Sequence, residues 1–152
     1  MNLPTPDRDI CFRMRRVARI MSDEHRYIED MRAILCEAIW DRSITRARDA
    51  FNRYRAAISV HFAVEEDVLF PEIGFANPDE QPEIERLVQA HDRLLEELVE
   101  MGDQLESLAG EDFSRRLEGH ATIFSLCESN EEALVSRVAA AGSRRGRALN
   151  IP

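Results

Sequence analysis

Three features of the sequence predict an all-α fold, an up-down-up-down antiparallel four-helix bundle. Apolar residues recur at helical spacing through four long segments, chain-breaking residues concentrate between those segments, and no stretch alternates with the period of two that marks a strand. The 152 residues fit one domain, and a chain of this size buries roughly two thirds of its surface on folding without help from a disulfide or a metal.

The first segment runs from about Asp7 to Trp40, with an inward stripe of Ile10, Met14, Val17, Met21, His25, Ile28, Met31 and Leu35. The second begins at Ser43, a residue suited to cap a helix, and runs to Phe70, where Pro71 is expected to stop it. Its stripe is Ala47, Phe51, Tyr54, Ile58, His61, Glu65 and Val68. The stretch from Pro71 to Pro78 is the richest in breakers. A third segment opens near Pro82, a first-turn proline, and extends to about Leu108, with Ile84, Leu87, His91, Leu94, Leu98, Met101 and Leu105 inward. Gly110-Glu111-Asp112 is expected to be a tight connection. The fourth segment, from about Asp112 to Ala141, turns Phe113, Leu117, His120, Phe124, Cys127, Glu131, Leu134 and Val138 to one side. Residues 7–141 thus form a single bundle, and 142–152 a basic tail expected to fray.

Composition narrows the function. A net charge of −9 speaks against nucleic acid or an anionic membrane surface as partner. No apolar run approaches the ~20 residues that a bilayer helix requires, and the first residues lack the apolar core of a signal peptide. The three cysteines, Cys11, Cys36 and Cys127, cannot all pair, so reduced thiols and a cytoplasmic location are expected. All 20 basic residues are arginine, a bias of genome composition more than of function. A monomer or weak dimer is expected.

The inner stripes carry the chemistry. The chain has four histidines, one on the stripe of each segment, and they are accompanied there by Glu65 and Glu131. Any single one could be a core histidine satisfied by a neighbour. All four together, with two buried acids, fit that reading poorly, because an unpaired buried carboxylate costs several kcal/mol. A cation between them removes the conflict, and iron suits mixed imidazole and carboxylate ligands. Histidine and glutamate four apart, as in His61 and Glu65, stand one turn or ~6 Å from each other along the axis. The second and fourth segments also repeat each other at an offset of 66 residues: His61-xxx-Glu65-Glu66 matches Cys127-xxx-Glu131-Glu132, and Tyr54 matches His120.

The order of these features, a histidine, then His61-xxx-Glu65-Glu66-xx-Leu69-Phe70-Pro71, another histidine, and a degenerate copy of the motif, resembles the hemerythrin-like, HHE cation-binding family over about Asp23 to Val138. The resemblance implies a non-heme site of two iron ions, oxo- or hydroxo-bridged and carboxylate-bridged, inside the bundle. The family's first-helix histidine falls on His25, its second-helix histidine and bridging acid on His61 and Glu65, a third-helix histidine on His91, and the last-helix acid on Glu131. Two family histidines are missing. His91 is flanked by Leu87, Val88, Leu94 and Leu95, where a second imidazole usually stands, and Cys127 replaces the fourth-helix histidine. His120 and Tyr54, two turns toward the N-terminus of each motif, are expected to fill these positions as ligands, with Cys127 either a ligand or a neighbour of the site. Glu66, Glu132 and the pair Glu96-Glu97 read as solvated, and Tyr27 as outward-facing.

Reversible oxygen carriage, which in this family uses five histidines, is therefore not expected. More anionic ligands favour ferric iron, and this directs the expectation to redox chemistry on hydrogen peroxide or nitric oxide, with an electron donor that the sequence leaves unnamed. The enzyme would be a peroxidase- or catalase-like, or nitric-oxide-oxidising, diiron oxidoreductase. The alternative is a module that binds or senses oxygen or redox state without turnover. Ferritin-type Glu-xx-His motifs are absent, since Ser22, Ile58, Val88 and Leu117 precede the histidines by three. A metal-free interaction bundle also remains open at this stage.

Overall fold

A computed structural model describes residues 6–107 and 110–148. The chain forms helix α1 (Pro6–Trp40), α2 (Ile44–Val64), a π-helical turn (Glu65–Leu69), α3 (Phe70–Ala76), a 3-10 turn (Pro78–Glu80), α4 (Gln81–Gln104) and α5 (Gly110–Ala148). There is no strand among the described residues. α1 packs on α2 and α5, and α4 packs on the same two from the other side, so each helix has two neighbours and one diagonal partner. This is the four-helix bundle the periodicity predicts.

The core follows the stripes. Met14, Met21, Ile28 and Leu35 of α1 are buried, and so are all the inward residues expected of α4 and α5. Ile10 lies outside the residues whose side chains are described, and Leu108, expected near the end of the third segment, lies outside the described residues. α1 ends in a left-handed residue, Arg42 (φ 54°), with the Ser43 N–H bonded back to the Ala38 carbonyl at 3.1 Å and the Arg42 N–H to Ile39 at 3.0 Å. This pattern closes a helix in one turn and lets α2 start at once. Ser43 stands at the N-cap as expected, although its hydroxyl makes no capping bond.

Three boundaries differ from expectation. Pro71 does not stop the second segment. The chain widens into the π turn just before it, with the Phe70 N–H bonded to the Glu65 carbonyl, and continues as α3 until Asn77 leaves helical geometry. A turn with one extra residue accommodates a ring that a regular helix would set against the carbonyl four residues back. The same turn rotates the chain, so Val68, expected inward, is 48% exposed while Leu69, Phe70 and Ile73 are buried. The break between α4 and α5 comes at Leu105–Ser107, and Gly110, Glu111 and Asp112 form the first turn of α5. α5 runs to Ala148, into the stretch expected as a tail, and 149–152 lie outside the described residues.

Candidate metal centre

Two clusters of ligand-type side chains sit in the middle of the bundle. In the first, His25, His61, Glu65 and Glu128 bring one donor atom each to within 4.8 Å of one another; in the second, His91, Cys127 and Glu131 do the same. All are buried except His25, whose side chain is 21% exposed. Each of the four long helices contributes: α1 supplies His25, α2 and the π turn supply His61 and Glu65, α4 supplies His91, and α5 supplies Cys127, Glu128 and Glu131.

Glu65 joins the clusters. One of its carboxylate oxygens lies 3.2 Å from His61 Nε2 and the other 3.5 Å from His91 Nε2, and neither has a hydrogen-bond partner. Glu131 Oε2 is likewise buried without a partner. Buried carboxylate oxygens are seldom left so.

The imidazoles are held from behind. The Glu24 carboxylate accepts from His61 Nδ1 at 2.8 Å, and Glu66 accepts from His91 Nδ1 at 2.8 Å. With Nδ1 engaged by these carboxylates, both rings turn Nε2 toward the bundle axis. There they meet further acceptors. His61 Nε2 is 3.1 Å from His25 Nε2 and 3.1 Å from Glu128 Oε1, His25 is in contact with Glu128, and His91 Nε2 is 2.9 Å from Glu131 Oε1. Cys127 Sγ adds a contact of 3.4 Å to Glu131 Oε1. So many lone pairs directed at two points require protons or cations between them.

The electrostatics say the same. Burial raises the Glu65 pKa, with the neighbouring Glu131 adding to it, to about 9 against the pull of His61. Burial works against a charge on His61, but Glu128 and Glu65 outweigh it and push its pKa up to about 11. Burial also opposes ionisation of Glu128, yet His25 and His61 hold it below the ordinary carboxylate value. Burial, then the charge of Glu131, drives the Cys127 thiol upward.

Aromatic rings pack around the site. Phe62 stacks on His91 with centroids 3.8 Å apart, Phe70 lies 5.7 Å from the same ring, and Phe124 stands 6.0 Å from His61 and 6.3 Å from His25. A cleft of about 360 Å³ between α1 and α2, lined by Tyr27, Ile28, Ala57 and Val60, reaches Glu24 and His61 from the surface.

The structure therefore brings together His25, His61, Glu65, His91, Cys127 and Glu131 of the expected set. It does not bring Tyr54 and His120 to them. His120 Nε2 donates to the Leu94 carbonyl at 3.1 Å and its Nδ1 faces the Tyr54 hydroxyl at 3.3 Å, so both ring nitrogens are engaged in a separate layer. Two helical turns, ~10.5 Å along the axis, keep that layer apart from the motif residues. Cys127 instead occupies the place expected for His120.

Sequence reasoning missed Glu128, Glu24 and the role of Glu66. A signal for Glu128 existed: it stands three residues before Glu131, on the same side of the helix, and the internal repeat aligns it with the apolar Phe62. Glu66 is half-buried behind His91, whereas Glu132 and Tyr27 are exposed as expected.

The family comparison agrees with this geometry. The profile of the hemerythrin HHE cation binding domain matches residues 16–138, most of the bundle and every residue of both clusters. The chain belongs to the hemerythrin HHE cation-binding family. No curated protein and no solved structure gives a significant match. Among the described residues no helix is long and apolar enough to cross a membrane.

Proposed function

We propose that the two clusters hold two iron ions and that the protein carries out redox chemistry on hydrogen peroxide or nitric oxide. The observation that carries this reading is the Glu65 carboxylate, fully buried, without a hydrogen-bond partner at either oxygen and facing one imidazole of each cluster. His25, His61 and Glu128 would hold one ion, His91, Cys127 and Glu131 the other, with Glu65 between them. Carboxylate and imidazole donors suit iron, and bound iron supplies one-electron exchange with a small oxidant.

The chain's own residues do the rest. Glu24 and Glu66 hold the Nδ1 protons of His61 and His91, which fixes both rings with Nε2 toward the site. Phe62, Phe70 and Phe124 keep water from the histidine faces. The α1–α2 cleft admits small neutral molecules beside His61. Three anionic donors in the set, Glu65, Glu128 and Glu131, favour the ferric state over reversible oxygen binding.

The test is elemental analysis of protein made in iron-rich medium, followed by peroxide consumption measured against free iron. Two iron atoms per chain are expected, with both iron content and turnover reduced in Glu65→Ala and Glu128→Ala and retained in Glu132→Ala. Iron binding with turnover no faster than free iron would leave the binding or sensing module as the better reading. Protein free of iron would overturn the diiron proposal.

A further inference from the structure

The pair Tyr54 and His120 is left unused by the metal centre. It is buried, at 1% and 0% exposure, and lies in the layer of the bundle next to the clusters. The hydrogen bonds define its protons. The Leu94 carbonyl can only accept, so His120 Nε2 carries a proton and donates it at 3.1 Å. In the neutral ring Nδ1 is then a lone pair, and the Tyr54 hydroxyl donates to it at 3.3 Å. Burial lowers the His120 pKa, which keeps the ring neutral, and burial raises that of Tyr54, which keeps the phenol protonated. A phenol hydrogen-bonded to a neutral imidazole can lose an electron at moderate potential, because its proton has a base to go to in the same step.

We propose, resting on the diiron reading above, that Tyr54 is a one-electron donor to the metal centre and that His120 takes its proton. The Tyr54 O–H bond breaks and an N–H bond forms at His120 Nδ1. The one electron released by the phenol would pass to a bound iron ion that hydrogen peroxide had oxidised, lowering its oxidation state by one. The products are a neutral phenoxyl at Tyr54 and an imidazolium at His120. The charge of Glu97, on α4, acts on the His120 ring and favours the imidazolium. Tyr54 and His61 stand on one helix two turns apart, with Ile58 buried between them, a short path for electron transfer through packed side chains.

The chain has two tyrosines, Tyr27 and Tyr54, so the radical can be assigned without ambiguity. Iron-loaded full-length protein, its iron content measured on the same sample, is mixed with hydrogen peroxide, frozen and examined by electron paramagnetic resonance. A hydrogen-bonded tyrosyl signal is expected, lost in Tyr54→Phe, kept in Tyr27→Phe and lowered severalfold in His120→Gln. Iron-bound protein that consumes peroxide without a tyrosyl signal, or whose signal follows Tyr27, overturns the proposal. So does a visible phenolate-to-iron band that disappears in Tyr54→Phe, since a ligating phenolate has no proton to give. If the protein binds no iron, the diiron reading fails separately, and the pair is tested in metal-free protein by photo-oxidation with tris(bipyridine)ruthenium and persulfate in a Tyr27→Phe, Trp40→Phe background. There a tyrosyl signal that weakens in His120→Gln supports the pair as a redox couple, and a signal indifferent to His120 rejects it.

Discussion

Glu65 sets the behaviour of the site because its burial and the neighbouring Glu131 outweigh the opposing pull of His61. In the metal-free protein its pKa of about 9 lies far above the ordinary 4.5, and that of His61, about 11, lies above the ordinary 6.5. Each group then holds a proton in the folded chain over a range in which the unfolded chain has released it. Stability must fall as pH rises through that range. Both act together between pH 6.5 and 9, whereas Glu128, with its lowered pKa, titrates below this window and contributes nothing to the slope there. Metal-free protein is therefore expected to melt at progressively lower temperature from pH 6.5 to 9, and Glu65→Gln to flatten the slope. Metal-loaded protein is expected to behave in the opposite sense, because the cation replaces those protons and binds more tightly as they leave. Thermal melts of both forms at several pH values check this; a metal-free melting temperature that is level or rises across the window would contradict it.

At the scale of the helix, the π turn and α5 carry the features that matter. The turn sits where Glu65 and Glu66 leave α2, and it puts the first into the space between the clusters and the second behind His91. Wide turns of this kind are frequent at functional positions. α5 offers the cleaner stability test. Gly119 lies in its interior on the exposed face, and a methyl group placed there would meet nothing within 4 Å. Alanine exceeds glycine by about 1 kcal/mol in a helix interior. Gly119→Ala is expected to raise the melting temperature by roughly 2–4 °C and to leave metal content unchanged. Gly102 is no such site, because a Cβ there would come to 3.0 Å from the Phe51 ring.

At the scale of the molecule, the clusters draw ligands from α1, α2 with its π turn, α4 and α5, so a bound metal ties all parts of the bundle to one point. The unfolded chain offers no such arrangement, and binding energy becomes folding energy. A metal held at about a hundred times its dissociation constant adds about 2.7 kcal/mol, which in a domain of this length is a rise of roughly 5–10 °C. Chelation and dialysis are expected to lower the melting temperature by that amount, re-addition of iron to restore it, and Glu65→Ala to show little response to either. Calorimetry with and without the chelator measures the shift.

Helical periodicity was enough to determine four helices, their facing stripes and the inward direction of His25, His61, Glu65, His91, Cys127 and Glu131, because a period of 3.6 residues with one apolar face has one stable outcome in water, a bundle with that face inside. The family was legible too, in His61-xxx-Glu65-Glu66 and its degraded copy. Which inward residues meet was not. Tyr54 and His120 share stripes with the ligands and are inward as read, yet they bond to each other, because position along the bundle axis depends on how far each helix is shifted against its neighbours. Glu128 stands three residues before Glu131, on the same side of α5 but off the expected stripe, and it enters the site through His25 of α1 and His61 of α2. The rotation at Leu69 follows from the π turn before Pro71, a local widening that a fixed helical period does not register. Stripe membership is a property of one helix, whereas a ligand set is a property of four, and only their packing decides it.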